Sequence, residues 1–221
     1  MNYIISVFNP EAEEIFEQIC KEISLPHTVM LHGHGTAVKS MLDLLGIESG
    51  DKRIALTIAG NTKVKQLIDA QKSRMYLGVP GHGMTVAVPI KSIGGGKTLA
   101  YLNDEQAGAK YAPTINYNYE LIIAIANEGT TDLVMNAARA AGARGGTVLH
   151  GKGTGGEQTQ KFYNVSIARE KEVILIVASA DNKSDIMRAI LQKAGPDSQA
   201  GTIVFSLPTS EVAGFGLIGQ Q

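Results

Sequence analysis

The sequence predicts an α+β protein made of two tandem ferredoxin-like modules, each β-α-β-β-α-β with an antiparallel sheet and its helices on one face. Three observations carry this. The motif LHGHGT at residues 31–36 returns as LHGKGT at 149–154. Around it, NYIISVFN from Asn2 lies over ELIIAIAN from Glu120, KRIALTIAG from Lys52 over KEVILIVAS from Lys171, and TVAVPIKSIGG from Thr85 over VFSLPTSEVAG from Val204. The offset is 118 at first and 119 later, a drift that a single loop insertion gives, and such self-similarity is the signature of a structural unit used twice. Within each copy, finally, short β-branched runs alternate with helical patterns in the same order.

The elements follow in turn. Ile4, Ile5 and Val7, like the run from Leu121 to Ile125, form strands ended by Asn and turn formers. Helices are expected over 10–24 and 129–142; the second has Thr130, Thr131 and Asp132 as capping candidates and Gly142 as its stop. Strands return at 27–32 and 145–150, then at 52–59 and 171–179. Helices come next at 62–76 and 182–194, the latter ending before Gly195-Pro196. A last strand at 84–90 or 202–208 closes on Pro89 or Pro208. Residues 94–117, rich in Gly and polar residues, read as a linker between domains at 1–93 and 118–221.

Composition excludes several classes. Hydrophobic residues make up 44% and charged residues 19%, as in a globular protein. A net charge of −1 offers no electrostatic footprint for nucleic acid, and the absence of Trp argues against base stacking. No run approaches the roughly 18 apolar residues that span a bilayer. The start, MNYIISVFNP, lacks the basic region and cleavage pattern of a signal peptide, so a cytoplasmic location is expected. The single cysteine, Cys20, excludes an intrachain disulfide and is expected to be buried on a helix.

The second copy resembles the PII signal-transduction proteins and their PII-like relatives. The likeness lies in ARGGTVLHGKGTG (143–155), KFYNVSIAREKEVILIVA (161–178) and AGTIVFSLPTSEVAGF (200–215), and it reaches the first copy only through the repeat. The resemblance implies a non-enzymatic regulator that binds an adenine nucleotide or another small effector in clefts between modules. It also implies a homo-oligomer with a trimer-like arrangement of modules. The T-loops, here 35–51 and 153–170, would engage a protein target such as a membrane transporter or a metabolic enzyme. Two departures weigh against ATP: Thr202 stands where the family has a lysine, and Val212 to Phe215 replace its paired arginines. Tyr163, in KFYNVS, does not match the context of the family's uridylylated tyrosine.

Candidate effector contacts follow. Gly151, Gly153 and Gly155, beside Lys152 and Thr154, allow close backbone approach and offer N–H groups suited to phosphate or carboxylate oxygens. The same glycines would equally serve a sharp loop with positive φ. Gly201 and Thr202 occupy the place of the family's B-loop. Their counterparts in the first copy are Gly33, His34, Gly35 and Thr36, with Gly81, His82 and Gly83. All five histidines (His27, His32, His34, His82 and His150) fall at strand ends or loops. A metal site from His32, His34 and His82 is conceivable, yet H-x-H on a strand supplies no third ligand, so anion contact or packing is the other reading.

GGGKT at 94–98 resembles the end of a phosphate loop, but Lys91 stands where the required first glycine belongs and no helix pattern follows. In TAVKSMLDLLG (36–46), Val38, Met41, Leu42 and Leu45 recur at helical spacing, which predicts a short amphipathic helix, packed on its own module or docking a partner. Two function classes stand at this point. One is a PII-like regulator of a transporter or enzyme that senses a small anionic effector. The alternative is a metal-binding protein or small-molecule-processing enzyme using the loop histidines, although no catalytic constellation is readable from spacing.

Overall fold

The computed structural model describes residues 1–25, 28–36, 50–79, 81–91, 93, 115–153, 160–162, 165–167 and 170–214. The expected amphipathic helix at 36–46 and the GGGKT stretch lie outside the described residues, save Thr36. The chain divides into two compact units. The first contains 1–32, 51–119 and 208–221; the second contains 33–50 and 120–207. Among the described residues no helix is long and apolar enough to cross a membrane.

In the first unit the order is β1 (Asn2–Phe8), a 3-10 turn (Pro10–Ala12), α1 (Glu13–Glu22), β2 (Thr28–Gly35), β3 (Asp51–Ala59), α2 (Asn61–Arg74) and β4 (Gly83–Pro89). β1 lies between β3 and β4 and is antiparallel to both, with Asn2 opposite Ala59 and Pro89. A short strand from the far end of the sequence, Glu211–Ala213, pairs antiparallel with β4. The strand period of two and the helix period of 3.6 meet on one face. Ile4, Phe8, Ala55, Ala59 and Ala87 from the strands form a core with Phe16 and Ile19 of α1 and Val64 and Leu67 of α2. The small alanines let the helices approach, and Phe8 stacks on Phe16 with ring centroids 4.8 Å apart. Cys20 is buried in this core as expected, and burial pushes its thiol pKa up.

In the second unit the order is β5 (Asn116–Asn127), α3 (Thr131–Ala140), β6 (Thr147–Lys152), β7 (Gln160–Phe162), β8 (Val165–Ile167), β9 (Glu170–Ser179), α4 (Ala180–Ala194) and β10 (Ile203–Thr209), and the strand Glu211–Ala213 is numbered β11. β5 begins at Asn116, inside the stretch read as linker, and its first residues, to Tyr119, belong to the first unit. The sheet runs β10-β5-β9-β6 and ends on Gly33–Gly35 of β2, so the four strands contributed by each copy adopt the same order. β7 and β8 form a separate two-stranded antiparallel sheet. The core again joins alternate strand residues (Ile122, Ala124, Ile174, Ile176) to Val134 and Met135 of α3 and Ile186 and Ile190 of α4. This is the expected α+β architecture, with antiparallel sheets and helices packed on one face.

One difference between the two cores is a buried polar group. In the first, Thr85 Oγ1 lies 2.9 Å from Gln71 Oε1 and 3.1 Å from Ser6 Oγ, all fully buried. The repeat places Ala124, Ile190 and Val204 at those positions in the second. The Gln71 Nε2 group finds no hydrogen-bond partner among the described residues, a costly arrangement for a buried donor.

Candidate functional site

One end of each unit is held by a lysine–asparagine clamp, in which the Lys–Asn bond recurs and the bond to the loop differs. In the first unit the Lys52 ammonium, at the start of β3, donates to Asn9 Oδ1 just past β1. It also donates to the Gly81 carbonyl, 3.0 Å away in the loop before β4. In the second unit Lys171, at the start of β9, donates to Asn127 Oδ1 at 2.7 Å. The Asn127 side-chain amide then donates to the Gln199 carbonyl at 2.9 Å, and its backbone N–H to the Ala200 carbonyl at 2.8 Å. Three segments meet at each clamp: a strand end, a strand start and the loop ahead of the last strand. None of these four residues is among the expected site residues. The signal for them lies in the repeat, where Asn9 aligns with Asn127 and Lys52 with Lys171.

The expected residues distribute around these clamps as follows. Gly201, with φ +54, sits against Asn127; a Cβ there would lie 3.2 Å from its amide nitrogen. Thr202 is fully buried, its N–H donating to the Ala194 carbonyl and its hydroxyl without a partner among the described residues. Gly151 and Lys152 end β6 opposite Lys171 and Glu170, which brings them to the same end as the clamp. Lys152 projects outward, 70% exposed, with a long 3.6 Å ion pair to Glu170. Gly153 follows, and Thr154 and Gly155 lie outside the described residues. In the first unit Gly81 touches the clamp directly, and the His82 N–H donates to the Val79 carbonyl. Gly83 serves the backbone: at φ +135 an added Cβ would lie 2.0 Å from the Val7 carbonyl oxygen.

Gly33, His34, Gly35 and Thr36 are elsewhere, at the opposite end of β6 from Lys152. His34 pairs with Val148 and Gly35 with Thr147. Thr36 exchanges hydrogen bonds with Gly146: its N–H donates to the carbonyl at 2.8 Å, and its Oγ1 accepts from the Gly146 N–H at 2.7 Å. Arg139 on α3 donates to the Thr36 carbonyl. The expected set therefore occupies several places rather than one cluster.

The histidines behave as ring partners. His34 meets His150 edge-on with centroids 5.8 Å apart, and His82 meets Tyr76 edge-on at 6.3 Å. His32 is exposed on β2, and His27 lies outside the described residues. Among the described residues no group of three or more His, Cys, Asp or Glu side chains is placed to hold a metal ion.

A side chain from β9 fastens the turn that leads into α3. The buried Glu172 carboxylate accepts from the Gly129 N–H at 3.0 Å and from the Thr131 hydroxyl at 2.7 Å. Thr130, an expected cap, makes no side-chain bond to the helix start. Among the described residues, the exposed Lys152 ammonium lies beside the backbone of Gly151 and Gly153 at this end. A Cβ built at Gly151 meets nothing within 4 Å.

The fold thus defines a protein of ferredoxin-like α+β modules with glycine-bearing polar ends. Residues 119–215, less than half of the chain, match the family model for the nitrogen regulatory protein P-II. No curated protein matches the chain. Among solved structures, similarity is found to Arabidopsis thaliana PII bound to citrate, 22% identical over 43% of this chain and 78% of that one, with a TM-score of 0.33. The B. subtilis GlnK–ATP complex is 14% identical over 47% of this chain and 100% of that one, with a TM-score of 0.35. An unknown protein from Galdieria sulphuraria is 13% identical over 94% of this chain and 97% of that one, with a TM-score of 0.30.

Proposed function

We propose that the chain is a PII-like regulator formed by duplication of one module, which binds a small anionic effector and controls a transporter or a metabolic enzyme through its T-loops. The observation that carries this reading is the P-II family match over 119–215. The two-fold use of the lysine–asparagine clamp supports the duplication, with modules at 1–93 and 118–221 joined by 94–117. Gly151, Lys152, Gly153, Thr154, Gly155, Gly201 and Thr202 are the proposed effector contacts of the second module. Gly33, His34, Gly35, Thr36, Gly81, His82 and Gly83 are the diverged set of the first. Lys152 is the proposed charge partner, because its ammonium is exposed and its pair with Glu170 is long, and exposed pairs contribute only about 0–1 kcal/mol. An effector phosphate or carboxylate can therefore displace Glu170 at little cost.

A thermal-shift screen with ATP, ADP, AMP, cyclic nucleotides, citrate, bicarbonate and divalent metals tests the reading. A ligand at a hundred times its Kd stabilises the fold by about 2.7 kcal/mol, a readily measured shift. The expected result is stabilisation by an anionic effector that Lys152→Ala weakens at least tenfold. Stabilisation by a transition metal alone, lost in His34→Ala or His82→Ala, would favour the histidine reading instead.

A further inference from the structure

We propose that the buried chain Ser6–Thr85–Gln71 is an identity mark for the first copy. It holds β1, β4 and α2 to one another and keeps the two similar copies from exchanging strands as the chain folds. The inference rests on the duplication proposed above and is independent of the effector. Copies of one pattern within one chain compete for the same places, and misassembly is a characteristic fault of repeated domains. The central strands are the pair most alike in position: β1 lies between β3 and β4, and β5 between β10 and β9. Their sequences, NYIISVFN and ELIIAIAN, carry similar runs of strand-forming residues, so backbone pairing alone does not tell them apart.

The side chains on the helix face do tell them apart. Ser6, Gln71 and Thr85 are fully buried, and Thr57 on β3 is buried beside Ala55 and Ala59 on the same face. Gln71 Oε1, 2.9 Å from Thr85 Oγ1, can only accept, so the Thr85 hydroxyl donates to it. With its one proton so used, Thr85 Oγ1 accepts from the Ser6 hydroxyl at 3.1 Å. The chain thus links β1 to β4 and β4 to α2. The repeat carries Ser6, Thr57, Gln71 and Thr85 to Ala124, Ile176, Ile190 and Val204, all apolar members of the second core. Size differs along the same strand: Phe8, stacked on Phe16, has Ala126 and Val134 as counterparts.

Exchange in either direction is penalised. With β5 in the place of β1, Ala124 would stand where Ser6 stands, and Thr85 would lose its donor. With β1 in the place of β5, the Ser6 hydroxyl would be buried among the counterparts of its partners, Ile190 and Val204, which offer no acceptor. A buried polar group left without a partner costs more than the bond it makes is worth, so the wrong pairing suffers more than the right one gains. Such a mark acts through the difference between correct and incorrect partners, not through net stability. That gives a reason for three polar side chains in the middle of a core whose repeat does without them.

Paired cysteines in the full chain, in a Cys20→Ala background, read out the pairing after denaturation and oxidative refolding. Tyr3 lies opposite Ile58, whose counterpart in the second copy is Val177. Tyr3→Cys with Ile58→Cys therefore reports native pairing, and Tyr3→Cys with Val177→Cys reports exchange, each as a disulfide mapped by proteolysis and mass spectrometry. Giving the first core the second's residues (Ser6→Ala, Gln71→Ile, Thr85→Val) is expected to raise the exchange link at least fivefold. The reciprocal variant (Ala124→Ser, Ile190→Gln, Val204→Thr) leaves the first core untouched and makes both cores polar, and the same rise is expected. If the first variant does not unfold cooperatively in urea, the reciprocal one decides alone. An exchange link no more abundant in the variants than in the native cores would show that shape alone keeps the copies apart, and would overturn the proposal. The effector reading fails separately, because the thermal-shift screen reads ligand and the disulfide reads strand pairing.

Discussion

Burial alone pushes the Glu120 carboxyl to a higher pKa, whereas the Ser206 hydroxyl donating at 2.7 Å and the Lys183 ammonium at 3.0 Å push it down. The net direction is below the ordinary glutamate value. A carboxyl whose folded pKa is depressed adds stability above its unfolded pKa, about 4.3, and loses that contribution as pH falls through the folded value. Glu120→Gln is therefore expected to lower urea-unfolding stability at neutral pH and to match the native chain in strong acid. Lys183→Met is expected to reduce the same pH dependence, because it removes one cause of the shift. Unfolding curves measured along a pH series check both, and a Glu120→Gln deficit of equal size at neutral and acid pH would rule out the charge as its source.

Among the elements, α3 shows where local sequence rules stop. Its apolar spacing and Gly142 mark the helix, and the Gly142 N–H does close on the Arg139 carbonyl with φ at +98. The turn ahead of the helix is tied down from elsewhere than the local pattern suggests, because its acceptor is Glu172, 41 residues from Thr131 and on another strand. Glu172→Ala leaves the Gly129 N–H and the Thr131 hydroxyl without their acceptor, and the expected loss is about 1–3 kcal/mol by chemical denaturation. A loss no larger in the native background than in Thr131→Val would show that the two groups do not act together. The strands are legible for a physical reason: Ile4, Ser6 and Phe8 face the helices while Ile5 and Val7 face away, and period two is written in the chain. The lysine–asparagine clamps are legible too, but only by treating identity between the copies as a contact. The added edges at Gly33–Gly35 and Glu211–Ala213 are not, since pairing partners more than a hundred residues away leave no local pattern.

At the scale of the whole molecule, those two added edges mean that neither half of the sequence contains a complete compact unit. The first unit takes 208–221 from the far end of the chain, and the second takes 33–50 from the near one. The borrowed pieces are well bonded. Ser210 donates its N–H to the Ala87 carbonyl at 2.7 Å and its hydroxyl oxygen lies 2.7 Å from Asn2 Oδ1, while Ala213 is buried in the first core. Gly214, at φ +81, passes so close that a Cβ would lie 2.4 Å from the Gly83 carbonyl oxygen. Thr36 supplies the comparable bonds in the second unit. At about 0.5–1.5 kcal/mol for each hydrogen bond, losing a borrowed edge costs a half on the order of 2–4 kcal/mol. For a domain of this size that lowers Tm by roughly 4–8 °C per kcal/mol. Cutting the chain at an engineered protease site within 94–114 is therefore expected to leave the halves associated on size exclusion, with most of the native Tm. Each half purified alone should melt well below the cut pair, and remixing should restore the higher transition. Halves that elute apart and melt where the intact chain does would show that the exchanged edges contribute nothing to stability.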